Sequence, residues 1–192
     1  MLILGIDEVG RGSWAGPLVV GAVALSTSLE GLKDSKLLSP SKRQALNKTI
    51  RSVAAYVGLG WVAADELDRL GLRIALQLAA RRAIGQYDGA DQIIIDGNVN
   101  FLPEYSNTST LIKADVTVPA VSAASIVAKV ARDAYMIELD RLMPGYGFSS
   151  NVGYGTRQHQ EALRRLGLSE CHRKSFQPMK SMSSGTVFEV VH

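Results

Sequence analysis

Three apolar, strand-like runs in this 192-residue sequence lead into acidic side chains: Leu2 to Asp7, which continues into Glu8; Gln92 to Asp96; and Thr110 to Lys113, with Asp115 two residues on. If the three runs are neighbours in one sheet, the carboxylates of Asp7, Glu8, Asp96 and Asp115 converge at one edge. Like charges held close together, away from water, repel at a cost of several kcal/mol unless a cation sits among them. All-oxygen donors without a Cys/His cluster point to Mg²⁺ or Mn²⁺. Two such ions about 4 Å apart can activate a water and neutralise the leaving oxygen in phosphodiester hydrolysis. Individual acids also admit simpler roles. Asp96 before Gly97 could serve a turn and Asp115 could cap the helix that follows it, whereas the Asp7-Glu8 pair closing a buried strand is harder to assign to local structure.

The elements that would carry these acids can be read from periodicity. Leu2 to Asp7 reads as a buried strand followed by Gly10-Arg11-Gly12, where glycine permits a tight turn. Leu18 to Leu25 and Ala54 to Val62 are two further strand-like runs, and the short spacing between the first two favours an antiparallel hairpin or meander. Ser39 supplies an N-cap and Pro40 a first turn for a helix through about Arg51. Ala64 to Gln86 reads as helical with a break at Gly71. The β-branched run Gln92 to Asp96 suits a central strand that ends on its carboxylate. Pro119 to about Leu142 forms a long, mostly apolar helix; another helix runs from Thr156 to about Leu166, and a polar tail follows. Strands and helices in this order predict an α/β domain with a mixed central sheet, a single domain over residues 1–192 with its core to about 142 and a C-terminal helical segment at about 143–180.

Composition excludes several classes. With 46% hydrophobic and 20% charged residues the chain suits a globular domain, neither a disordered tail nor a disulfide-held miniprotein. Leu18 to Leu25 and Val118 to Ala128 fall short of the roughly 18 apolar residues of a membrane span, so neither an anchor nor a signal peptide is expected. The lone Cys171 has no disulfide partner and no zinc-finger spacing, which suits a reducing, cytoplasmic location. The net charge of +3 is unevenly spread: residues 33–51 carry +5, residues 157–180 carry +4 and the remainder −6. Basic segments around an acidic remainder suit a nuclease, since phosphates need cations and Mg²⁺ needs anions, although charge alone fits solvated helix faces equally well.

The motifs then identify a resemblance. Gly5-Ile6-Asp7-Glu8-Val9-Gly10-Arg11-Gly12, Ala15-Gly16-Pro17, Asp34-Ser35-Lys36, Ile95-Asp96-Gly97-Asn98 and Lys113-Ala114-Asp115 come in that order. Ala124 to Asp133, Gly153-Tyr154-Gly155-Thr156 with His159, and His172-Arg173-Lys174-Ser175-Phe176 complete a set that resembles type 2 ribonuclease H, ribonuclease HII, from residue 5 to about 176. The resemblance implies an RNase H-like fold and an endonuclease acting as a monomer on RNA–DNA hybrids and on ribonucleotides embedded in duplex DNA, leaving 3′-hydroxyl and 5′-phosphate ends. Carried over residue by residue, it makes Asp7, Glu8, Asp96 and Asp115 the catalytic, metal-binding carboxylates for Mg²⁺ or Mn²⁺, two ions in the reacting complex. Gly10, Arg11 and Gly12 would set backbone groups around the ribonucleotide's 2′-hydroxyl and the adjoining phosphate. Tyr154 would stack on the sugar of the following nucleotide, and Lys36 would lie near the scissile phosphate.

Arg132 and Asp133 read as an ion-paired helix surface supporting the site, and His159 and His172 as polar or structural residues. Two departures stand out: Ser13-Trp14 where the family often has Pro-Leu or a similar pair, and Asn151-Val152 where it often has His-Lys. The extra N-terminal domain of type 3 enzymes is not expected here. Val187-Phe188 is a weak candidate for sliding-clamp contact. Two rivals remain at this stage: an integrase or junction resolvase of the same superfold, which would not need both Gly-Arg-Gly and Gly-Tyr-Gly, and a non-catalytic nucleic-acid-binding module with structural acids.

If the first basic segment grips duplex phosphates, neutralising Lys42, Arg43 and Lys48 together weakens binding broadly. The slope of log affinity against log salt, measured by titration with a hybrid duplex, then flattens by up to about three units. An unchanged slope returns the segment to a solvated face.

Overall fold

A computed structural model of the chain describes residues 1–26, 29–32 and 38–183. Lys36 with its motif, and Val187-Phe188, lie outside the described residues.

The sheet is built outward from β1 (Ile3–Val9). β2 (Leu18–Leu25) pairs antiparallel with it and β3 (Tyr56–Val62) antiparallel with β2, while β4 (Gln92–Asp96) lies parallel on its other side and β5 (Thr108–Leu111) parallel to β4. The order β3-β2-β1-β4-β5 is the expected mixed sheet. β2 is buried along its whole length, as its unbroken Val/Ala/Leu run requires. The register that matters for chemistry sets Ile6 beside Ile95, so that Asp7 of β1 and Asp96 of β4 follow on adjacent parallel strands.

Helices cover both faces. α1 (Pro40–Val53) starts where the sequence places it, with Ser39 Oγ accepting from the Lys42 amide. α2 (Ala64–Leu70) and α3 (Leu72–Ile84), split at Gly71, close one face, where Ala79, Ala83 and Ile84 meet Leu4, Ile6 and Ile95. On the other face Ala120, Ala123, Ala124 and Val127 of α5 (Pro119–Leu142) pack with Val23 and with Ile50 of α1. The approach of α5 to the sheet is governed by Gly5, where a Cβ would fall 2.1 Å from the Ala120 carbonyl carbon.

Three local differences bear on function. β1 continues through Asp7 and Glu8 to Val9, so these acids lie within the strand. β5 ends at Leu111, and Asp115 belongs to a short helix, α4 (Ala114–Thr117), entered through Lys113 in the left-handed region at φ 60°. The segment expected as a polar tail is ordered into the protein. Beyond α6 (Phe148–Asn151) and α7 (Arg157–Leu166), His172 bridges to Ala15 and the Arg173 amide donates to the Trp14 carbonyl before α8 (Met179–Ser183). Its polar look was misleading because His172 and Arg173 are buried and hydrogen-bonded, His172 against Tyr146 and Phe148 and Arg173 over the Phe176 ring.

Gly5→Ala would force α5 off β1. It is expected to cost about 2–3 kcal/mol, read as a lower midpoint in urea unfolding; an unchanged midpoint would show that helix and strand are not in this contact.

Candidate active site

Asp7 is 7% exposed and its Oδ1 accepts from the Glu8 amide at 2.8 Å. Burial pushes the Asp7 carboxyl up to about 8, a hydrogen bond from Ser125 opposes the rise, and the neighbouring charges of Glu8 and Asp96 add to it. Glu8 is raised as well, chiefly by burial, and is drawn back by Arg11, whose Nη1 lies 3.2 Å from Oε1. Asp96 ends β4, and its Oδ1 accepts from the amides of Ala114 at 2.8 Å and Asp115 at 3.4 Å, so the carboxylate of one strand orders the first turn of α4. The carbonyl of the buried Asp115 accepts from Ser122 Oγ of α5.

The four predicted acids are thus linked in one region: Asp7, Glu8 and Asp96 through their fields, and Asp96 to Asp115 through the backbone. Among the described residues no three acidic, His or Cys side chains are already arranged to hold one metal ion. The chemistry of the set nevertheless fits a hard divalent cation: all four are oxygen donors, Asp7 and Asp115 are buried, the charges of Glu8 and Asp96 raise Asp7, and Arg11 pairs with Glu8. Ser122 and Ser125 went unnoticed in the sequence. Their signal was two hydroxyls three residues apart in the otherwise apolar start of α5.

The Gly-Arg-Gly turn follows β1 directly. Gly10 sits at φ 82°, and a Cβ there would lie 2.3 Å from Arg132 Nε. The Arg11 carbonyl accepts from Arg173 Nη1 at 3.1 Å. In a trans peptide the N–H opposes the C=O, so this bond turns the Gly12 N–H away from Arg173. Gly12 is exposed, with open space where a side chain would be, and its N–H has no partner among the described residues. The Gly153 carbonyl accepts from the amides of Trp14 and Ala15, which brings Tyr154, 38% exposed, beside the turn.

Arg132 overturns its sequence reading. It is fully buried and makes no ion pair with Asp133, which instead takes Lys129 at 2.7 Å and Arg43 at 3.8 Å. Its Nε donates to the Pro17 carbonyl, its Nη1 to the Val152 carbonyl, and its Nη2 to Ser13 Oγ and the Ala15 carbonyl. A helical pattern cannot distinguish such an inward cation from a surface one. Arg43, engaged with Leu38 and Asp133, is likewise no free phosphate ligand, so the drop in salt slope expected for the triple neutralisation shrinks to about two units.

A family model described as ribonuclease HII matches residues 4–179. The chain belongs to the ribonuclease HII family. It is 49% identical to ribonuclease HII of Thermus thermophilus over 181 residues, covering 93% of this chain and 88% of that one. The RNase HII of Archaeoglobus fulgidus, solved as a PCNA:RNase HII complex, superposes with a TM-score of 0.80 at 27% identity, covering 92% of this chain and 96% of that one. Bst-RNase HIII, crystallised with Mn²⁺, shares the fold at a TM-score of 0.71 and 21% identity, over 96% of this chain and 70% of that one. Membership makes the protein an endoribonuclease acting on RNA–DNA hybrids, a phosphodiester hydrolase. It sets aside the resolvase and the non-catalytic module. Among the described residues no helix is long and apolar enough to cross a membrane.

The ribonuclease HII chain also fixes its two buried histidines. The Ser169 amide donates to His172 Nδ1 at 3.0 Å, so the His172 proton is on Nε2 and is donated to His159 Nε2 at 3.0 Å; His159 Nδ1–H then donates to the Tyr154 carbonyl. Both rings must be neutral. Burial pulls His159 down, and burial with the adjacent His159 brings His172 down to about 4. Because the unfolded rings take up protons near 6.5 and the folded His172 does so only near 4, the stability they contribute is present above 6.5 and lost as pH falls between those values. Urea unfolding of wild type is therefore expected to lose about 1–2 kcal/mol more than His172→Gln between pH of about 7.5 and about 5. Equal losses would mean the ring is not held neutral.

Proposed function

We propose that this ribonuclease HII cuts 5′ of ribonucleotides embedded in duplex DNA as well as within longer hybrids, leaving 3′-hydroxyl and 5′-phosphate ends. The observation that carries the reading is the buried Asp7, raised by the charges of Glu8 and Asp96, on a strand that runs directly into a turn with an exposed amide at Gly12. Asp7, Glu8, Asp96 and Asp115 would hold Mg²⁺ or Mn²⁺, two ions in the reacting complex; when bound, such ions supply an activated water and neutralise the leaving oxygen. Mn²⁺ in the RNase HIII relative favours the second choice no more than the first, because both are hard cations with oxygen ligands.

The remaining work falls to the chain itself. Ser125 and the Glu8 amide orient the Asp7 carboxylate, and the Ala114 amide orients Asp96. Arg11 steadies Glu8 from the turn. The Gly12 N–H is placed to meet the 2′-hydroxyl or its phosphate, and Tyr154 to stack on the next sugar. DNA lacks that hydroxyl and carboxylates cannot sense it, so the turn and the tyrosine supply the discrimination between RNA and DNA. Lys36 keeps its proposed place near the scissile phosphate on the strength of its motif alone. A reducing, cytoplasmic location agrees with the free thiol of Cys171; we propose a monomer, and the clamp complex of the Archaeoglobus relative supports a contact with a sliding clamp.

The test is single-turnover cleavage of a duplex with one ribonucleotide, in Mg²⁺, Mn²⁺ and EDTA. EDTA should abolish cutting, and Asp7→Asn or Asp96→Asn should lower the rate by about two orders of magnitude or more while the domain stays folded. Near-normal activity of either folded variant would remove it from the proposed site. Tyr154→Ala should slow this substrate by about 10-fold or more, from a stacking contact of roughly 1–3 kcal/mol. Modest loss in Tyr154→Phe assigns the effect to the ring; loss equal to alanine assigns it to the hydroxyl.

A further inference from the structure

We propose that Arg132 is a positioning residue for ribonucleotide recognition, joining the Gly-Arg-Gly turn to the Tyr154 loop so that both meet the substrate at one fixed separation. The proposal rests on the role given above to Tyr154. Its first support is the distribution of hydrogen bonds. Three acceptors, Ser13 Oγ and the carbonyls of Ala15 and Pro17, lie on the segment that leaves the turn, and the fourth, the Val152 carbonyl, lies two residues before Tyr154. One rigid planar group therefore spans both halves of the recognition surface, and its faces are used too. The guanidinium lies against Gly10, leaving no room for a Cβ, and its carbon stands 5.8 Å from the centre of the Tyr154 ring.

The second support is energetic. A fully buried guanidinium with no carboxylate partner among the described residues gives up its hydration for bonds to neutral acceptors. An apolar side chain of similar volume would often hold a core as well or better, so a retained buried cation is more readily understood as a device for orientation than for stability. The third is backbone strain. Val152 sits at φ 42°, a conformation that β-branched residues avoid, immediately before Gly153-Tyr154. Arg132 Nη1 on its carbonyl at 2.9 Å and the Val152 amide on the Phe148 carbonyl are the bonds that hold it there. Lysine could not replace this arrangement, since a single ammonium cannot reach four acceptors spread around a plane.

The proposal predicts coupling between Arg132 and Tyr154, because a fixed separation matters only while both halves are present. Arg132→Lys and Ser13→Ala are made in wild type and in Tyr154→Ala, with thermal unfolding recorded for each, and single-turnover rates are measured with Mg²⁺ on a duplex carrying one ribonucleotide. In the wild-type background Arg132→Lys should lower the rate about tenfold, and in Tyr154→Ala by less than about twofold. Equal losses in both backgrounds, or no loss in wild type, overturn the proposal, since a merely structural arginine would act alike in both. If Arg132→Lys does not fold, Ser13→Ala decides: it should cost about threefold in wild type and nothing measurable in Tyr154→Ala, and any other pattern overturns the proposal. Tyr154→Ala cutting at the wild-type rate would instead sink the reading of Tyr154, an outcome separable because that variant is measured on its own.

Discussion

Carboxylates gathered out of water repel one another and resist ionisation, and the architecture is arranged around holding them together all the same. Asp7 and Asp96 can be neighbours only because β1 and β4 run parallel and side by side, with Ile6 beside Ile95. That parallel pairing needs the long crossover through β2, α1, β3, α2 and α3, and it needs α5 seated closely enough on Gly5 for Ser125 to reach Asp7 and Ser122 to reach the Asp115 carbonyl. Burial that raises Asp7 and Glu8 is the same burial that would make a divalent cation bind firmly, because the repulsion it relieves is largest where water is excluded.

Recognition is built on the opposite charge. Arg132 and Arg173, both buried, hold the carbonyls of Arg11, Ala15, Gly16 and Pro17, and at Arg11 the peptide geometry turns the Gly12 amide away from Arg173. The histidine chain from Ser169 to Tyr154 adds a neutral counterpart with every ring nitrogen engaged. Such networks are costly when incomplete and rigidifying when complete. Here they surround the surface that we propose distinguishes a ribose from a deoxyribose.

The two departures from the family pattern meet at this place. Ser13 supplies an acceptor to Arg132, Trp14 lies over Gly155 and close to His159, Asn151 is buried and accepts from the Gly153 amide, and Val152 gives its carbonyl to Arg132. They are parts of the support of Tyr154. A lysine in place of Val152 would have offered a phosphate contact; the strained valine offers a fixed turn.

The sequence by itself determined the first four strands to within a residue or two, the cap of α1, the break at Gly71 and the full extent of α5, because period, capping chemistry and turn residues are local. It also determined the family, through eight motifs in order. It could not place Asp115 on a helical turn, since that turn is ordered by the Asp96 carboxylate eighteen or more residues earlier in the chain. Nor could it turn Arg132 inward, pair His159 with His172 or anchor His172-Arg173 beneath the Gly-Arg-Gly turn. A polar side chain reads as exposed until its partners are known, and here the partners arrive from 13 to 162 residues away. Only tertiary structure decided which polar groups were solvated and which were buried and satisfied, because hydrogen bonding in three dimensions, not hydropathy along the chain, sets that balance.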